Sequence, residues 1–172
     1  MNQEIRRQVW FRLLESDATS RYYGHLFAKY HNCDLWSKVF LATASSGTVA
    51  GWAIWNDAVL YPYFVLAWKL FSGSAAVLSI ALPLINYPKR IEASRRLRTE
   101  FQDMMRDYEL LWAKIDEPTY ENKVEAEFRK LKDREAKLST IEGNLPGTCT
   151  KLVIKCQDEV LTARNLPSTT SS

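Results

Sequence analysis

An all-α membrane protein is the fold class this sequence predicts: a two-span transmembrane helical hairpin, with an amphipathic N-terminal helix and cytoplasmic coiled-coil-like C-terminal helices. Three observations carry that expectation. Val39 to Asn56 is a run of 18 residues without a charge, and Leu70 to Pro88 is a second run of 19. The last 84 of the 172 residues are instead densely charged, with apolar positions at helical spacing. Whole-chain values of 47% hydrophobic residues, 25% charged residues and mean hydropathy -0.27 describe neither part, because they average segregated stretches. A chain of this length suits one ordinary domain or a short membrane segment with soluble flanks, and it suits a multidomain enzyme poorly.

The element boundaries follow from helix geometry. A helix rises about 1.5 Å per residue, so roughly 20 apolar residues cross a hydrocarbon core of about 30 Å. The spans are placed at about residues 37–56 and 64–86, within a hairpin over 37–86. Asn56, Asp57 and Pro62 supply turn chemistry between them, which predicts a short connection near 56–63 and antiparallel helices. Lys69 would lie about one and a half turns inside the second span, where its stem carries the ammonium back to the interface. Arg21, Lys29 and Lys38 precede the first span, and Lys89, Arg90, Arg95, Arg96 and Arg98 follow the second, whereas the connection has no basic residue. That asymmetry places both termini in the cytoplasm. Trp36, Trp52, Trp55, Tyr61, Tyr63, Trp68 and Tyr87 fall near the expected headgroup boundaries, where amphipathic rings prefer to sit. The competing expectation is a soluble bundle with two buried apolar helices. Residues 1–38 carry four acids and six bases and lack the apolar stretch of a secretory signal.

Helices flank the hairpin. Residues 1–36 form the expected amphipathic segment, with Ile5, Val9, Leu13 and Leu14 at helical spacing, then Tyr22, Tyr23, Phe27 and Tyr30. Gly24 marks a place for a break, since glycine costs about 1 kcal/mol against alanine inside a helix. In the cytoplasmic region 87–142, Leu97, Phe101, Met104, Tyr108, Leu111 and Ile115 are spaced 4, 3, 4, 3 and 4, a heptad seam. After Asp116, Glu117 and Pro118, a looser stripe continues through Tyr120, Val124, Phe128, Leu131, Leu138 and Ile141. Two arrangements fit: the two helices fold back as a hairpin, or the seam packs against its copies in an oligomer. In the tail, 143–172, the break Gly143 to Gly147 precedes a short helix or strand over Lys151 to Ala163, and Pro167 to Ser172 has nothing to bury and is expected to be disordered. No internal repeat is visible.

Chemistry-bearing residues are sparse. His25 and His31, with Cys33, Cys149 and Cys156, are the only histidines and cysteines, which is too few for most catalytic triads or zinc sites. His31 and Cys33 flank Asn32, but two ligands do not make a site, so no metal, no cofactor and no catalytic residue are predicted. Cytoplasmic cysteines are expected to stay reduced. There is no glycine-rich phosphate loop, and Leu145, Pro146, Gly147 and Thr148 fit a turn better than a sortase signal. Net charge +3 and a pI near 8.7 permit contact with nucleic acid or anionic lipid. Basic residues just after a span are expected from topology alone, so nucleic acid is not predicted.

The informative residues lie inside the expected spans. Thr43, Ser46, Gly47, Ala50 and Gly51 share one helical face, with Gly47 and Gly51 as a GxxxG pair, and Ser72, Ala75, Ala76 and Ser79 repeat the pattern in the second span. Such stripes either pack against each other within the hairpin or, in an oligomer, line a narrow polar path with their hydroxyls. Asp57 and Lys69 are candidates for the pore mouth.

The layout resembles the SLATT domain, the two-transmembrane effector family associated with SMODS nucleotidyltransferases and SLOG sensors. The resemblance covers about residues 1–140 and is carried by the arrangement of elements and by Arg21, Tyr22, Tyr23, Trp36, Lys89, Arg90 and Arg95 around the spans. It implies a bacterial inner-membrane effector of a conflict or phage-defence system, a homo-oligomer in lipid that perforates or depolarises the membrane when triggered by a sensor or nucleotide-signal partner encoded nearby. A calcium uniporter is a weaker likeness: Trp55, Asn56, Asp57, Pro62, Tyr63 and Phe64 echo its acidic turn, but Leu60 and Tyr61 stand where its essential glutamate belongs. The alternative from another class is a membrane-anchored coiled-coil scaffold that recruits cytoplasmic partners through the heptad seam and conducts nothing.

Overall fold

The computed structural model describes residues 2–54, 61–117, 121–142 and 149–167. Among them every regular element is helical: α1 (Asn2–Ile54), α2 (Tyr61–Ile85), α3 (Tyr87–Lys114), α4 (Glu121–Glu142) and α5 (Thr150–Ala163). The chain divides into two compact units, the first made of Met1–Phe27 with Glu92–Ser172 and the second of Ala28–Ile91. α1 and α3 each contribute to both.

The helix ends follow local chemistry. Asn86 takes a positive φ of 50° and ends α2, a conformation that asparagine tolerates better than most residues. Its side-chain oxygen accepts the Lys89 backbone N–H at 3.4 Å, so the same residue caps the start of α3. Pro88 then stands in the first turn of α3, where a missing N–H costs nothing. Pro62 has the same place in α2; the sequence put it in the connection, but a proline with a preset φ opens a helix as readily as it makes a turn. At the end of α5 the Arg164 N–H reaches the Val160 carbonyl at 3.1 Å and Asn165 takes a φ of 54°, which stops the helix.

α1 corrects one expectation. It runs unbroken through Gly24 and joins what the sequence separates into an amphipathic helix and a first span. A Cβ at position 24 would sit 3.6 Å from the Arg98 side chain, an ordinary contact, so the glycine leaves room for that arginine without interrupting the hydrogen-bond ladder. The segment over Lys151 to Ala163, open between helix and strand, is the helix α5. The break at 143–147 and the tail beyond Pro167 lie outside the described residues.

In the first unit one apolar core joins four helices. Val9, Leu13, Tyr22 and Tyr23 come from α1, Val124, Phe128 and Leu138 from α4, and Cys156 and Val160 from α5. All six seam residues, Leu97, Phe101, Met104, Tyr108, Leu111 and Ile115, are buried in that core, with Met104 and Tyr108 at 0% exposure. The seam therefore closes within one chain by fold-back and leaves no face for the intersubunit coiled coil that the spacing also allowed. Aromatic contacts support the packing, with the Tyr23 and Phe101 rings stacked at 6.0 Å and Trp10 against Trp112 at 5.1 Å.

The second unit inverts that pattern. Phe40 of α1 meets Phe71 of α2 at 4.7 Å, and Tyr30 of α1 meets Tyr87, the first residue of α3, at 6.5 Å, so the later position on α1 pairs with the earlier one beyond it and the chain doubles back on α1. Val65–Ile85 is, among the described residues, the one helix long and apolar enough to cross a membrane, and none of its most apolar window is buried by the chain. The first expected span, 37–56, supplies the end of α1; residues 55 and 56 lie outside the described residues.

Core burial sets a testable difference. Met104→Ala removes a fully buried side chain and is expected to cost about 2–5 kcal/mol. Leu110→Ala, at a position 59% exposed on the same helix, should change stability by less than about 0.5 kcal/mol. Urea unfolding of the two variants followed by circular dichroism measures both.

Candidate functional site

The residues named from sequence scatter when placed. Thr43 is exposed, and its Oγ1 donates to the Val39 carbonyl at 2.8 Å; Ser79 is exposed, and its Oγ donates to the Ala76 carbonyl at 2.7 Å. Both hydroxyl protons are thus engaged by the residue's own helix. Ala75 is half-buried, and Ala76 and Lys69 are exposed. Ser46, Gly47, Ala50 and Gly51 belong to α1 and Ser72 to α2, but their side-chain environments lie outside what is described, as does Asp57 altogether. The seam residues are structural core.

What the structure brings together is a polar cavity in the first unit, between α1, α3 and α5. Its volume is about 590 Å³. α1 presents Asp17, Ser20, Arg21, Gly24 and His25, positions three and four apart that share one helical face. α3 adds Arg98, Gln102 and Met105 at the same spacing, and the end of α5 adds Glu159 and Arg164. The Ser20 hydroxyl donates to the Arg98 carbonyl at 3.3 Å and ties α1 to α3.

Charges organise the walls. Asp17, only 11% exposed, accepts from Arg21 Nε at 2.9 Å, and Arg164 Nε lies 3.6 Å from its other oxygen. Among the described residues that buried Nε has no hydrogen-bond partner. Arg164 also bonds Glu109 of α3 at 2.8 Å, and its guanidinium lies 5.8 Å from the centre of the Trp10 ring, so one side chain at the end of α5 joins α1 and α3. His25 Nε2 and Glu159 Oε2 are 3.3 Å apart, linking α1 to α5. Cys156, one turn before Glu159, is buried beside them, and burial, with a further push from Glu159, raises its thiol above the usual range.

A second polar group lies in the same unit. Arg12 of α1 bonds Glu135 of α4 at 2.8 Å, and the buried Tyr108 hydroxyl of α3 donates to the same carboxylate at 3.4 Å. Burial raises the Glu135 carboxyl above its ordinary value despite the opposing charge of Arg12, and burial together with Glu135 raises the Tyr108 phenol. Neither group faces a cavity wall named above, and the arrangement reads as a bolt between three helices.

Sequence reasoning found none of the cavity's clustering. His25 and Glu159 are 134 residues apart, and no local motif joins them. The one available signal was the i, i+3 spacing of Cys156 and Glu159, which is uninformative until α5 is known to be a helix. No protein family, curated protein or solved structure matches this chain.

Two predictions follow from these charges. Arg164→Ala leaves Asp17 and Glu109 without their shared partner and should destabilise the first unit by about 1–3 kcal/mol in urea unfolding. Glu135 holds its proton more tightly folded than unfolded, so its contribution favours the fold at acid pH and is lost as pH rises through its folded titration. Glu135→Gln should therefore remove that fall, flattening the stability profile between acid and neutral pH when unfolding is measured across the range.

Proposed function

We propose that this chain is a bacterial inner-membrane effector of a conflict or phage-defence system, which oligomerises and perforates or depolarises the membrane when a partner's signal reaches its cytoplasmic helices. The observation that carries the proposal is the reversal of surface character between the two units. In the second unit Trp36, Val39, Leu66, Leu70, Val77, Ile80 and Leu84 face outward, whereas the first gathers most of its apolar side chains into a core, leaves Phe11, Leu110 and Ile154 outside it, and exposes ion pairs. An exposed apolar surface of this extent is stable in lipid and costly in water. The two spans of the hairpin, at about 37–56 and 64–86, cross the bilayer and leave both termini in the cytoplasm, in keeping with the basic residues that flank them.

The small-residue stripe Thr43, Ser46, Gly47, Ala50 and Gly51 is the proposed contact face between spans, with Ser72, Ala75, Ala76 and Ser79 opposite and Asp57 and Lys69 at the mouth. Without a hydrophobic drive between helices in lipid, close packing through small residues supplies the association. A scaffold that recruits partners through the heptad seam is the poorer fit, because the seam side chains are spent in the core of the first unit. The partner is a sensor or nucleotide-signal protein, and the chain itself catalyses no reaction.

Expression in bacteria with a voltage-sensitive dye tests the proposal. Wild type, with the neighbouring genes and their trigger present, is expected to depolarise the membrane, and the Gly47→Leu, Gly51→Leu double variant at equal membrane abundance is expected not to. Equal depolarisation by both would refute the packing face. A silent wild type under the full trigger, or recovery of the chain in the soluble fraction, would refute the effector itself.

A further inference from the structure

We propose that His25, Cys156 and Glu159 form a zinc site that ties α5 to α1 and leaves its fourth coordination position open to the polar cavity. The donor atoms of the three side chains all lie within 4.8 Å of one another. A tetrahedral ion with bonds of about 2.0–2.3 Å requires ligand atoms about 3.3–3.8 Å apart. The His25 and Glu159 atoms already stand at 3.3 Å, so only the thiol has to draw closer. Cys156 and Glu159 are three positions apart on α5 and share a face, and His25 comes from α1, so ligation needs side-chain rotation and no rearrangement of either helix.

The donor set selects the metal. A thiolate with an imidazole disfavours calcium and magnesium, which take oxygen ligands, whereas one sulfur, one nitrogen and one carboxylate oxygen are ordinary zinc chemistry. On binding, the thiol releases its proton to solvent, and thiolate and carboxylate together balance the charge of a divalent ion. His25 and Glu159 line the cavity while Cys156 is buried beside them, so the free position of the proposed tetrahedron is placed on the cavity side, where water completes it. The ligand set of three side chains and one water is that of an open site. Lys155, 3.8 Å from the second Glu159 oxygen, is exposed and free to turn away as the ion enters.

The test uses the whole 172-residue chain, purified in detergent under reducing conditions and titrated with cobalt as an optical substitute for zinc. One equivalent is expected to bind, with visible bands of tetrahedral cobalt and a near-ultraviolet sulfur-to-metal charge-transfer band, and zinc is expected to displace it. Cys156→Ser should abolish the charge-transfer band, and Cys33→Ser with Cys149→Ser should leave it intact. His25→Gln alters a part-exposed ring and is expected to keep the helical circular dichroism while weakening affinity at least about tenfold. The site is overturned by the absence of saturable binding, by binding without the thiolate band, or by wild-type affinity in the folded His25→Gln variant.

Discussion

The burial of the α3 seam is the constraint on which the first unit depends. Leu97, Phe101, Met104, Tyr108 and Leu111 advance along α3 in steps of three and four and form one apolar stripe. Such a stripe has to be covered, and the chain covers it with the first half of α1 and with α4 and α5. Once α1 is fixed against the seam, Arg12 reaches Glu135 and Tyr108, and the polar face of α1 from Asp17 to His25 is set against α5. The cavity is thus a consequence of core packing: where the apolar stripes end, the long polar side chains of three helices meet around a space that they do not fill.

The polar contacts then determine how the unit responds to its surroundings. Arg134 bonds Glu100 at 2.8 Å and Asp107 at 3.0 Å, joining α4 to α3 with side chains that are about one-third exposed or more. Pairs so open to solvent are worth little individually and are screened by salt. Arg12, Glu135 and Tyr108 differ because the phenol is wholly buried and the carboxylate is largely withdrawn from water. Removing one member strands the others, which makes that group more consequential than the surface pairs and gives the unit its acid-side dependence.

How much of this was legible in the sequence depended on whether the determining contact was local. Helix type, the seam and the division between charged and apolar stretches follow from periodicity and composition, and all are present in the fold. Whether the seam closed within one chain or between copies was not legible, because the same heptad spacing serves both and the decision lies partly in the first half of α1, whose core residues Val9 to Tyr23 are far upstream of the seam in the chain. Gly24 offered a break by propensity, yet a cost of about 1 kcal/mol is small against the packing on either side of it, and Arg98 occupies the space it leaves. The cavity was hidden for the same reason as the fold-back: His25, Arg98 and Glu159 are brought together by tertiary packing, and each alone looks like an ordinary surface residue.

In the proposed effector, the first unit has two kinds of region available for differential binding. A ligand shifts an equilibrium only by the difference in its affinity for the two states, so a trigger has to contact groups whose arrangement changes. The apolar core is a poor place to act, because interiors are packed to crystal-like density and resist gradual deformation. The cavity side chains suit that role better: Asp17, Arg21, Arg164, His25 and Glu159 are held by a few directional contacts and reach across three helices. A modest change at one of them alters how α1 and α5 are tied, and α1 is also the helix that carries the small-residue face in the proposed effector. On that proposal, the same helix that provides the contact face in lipid provides one wall of the site through which the cytoplasmic unit is read.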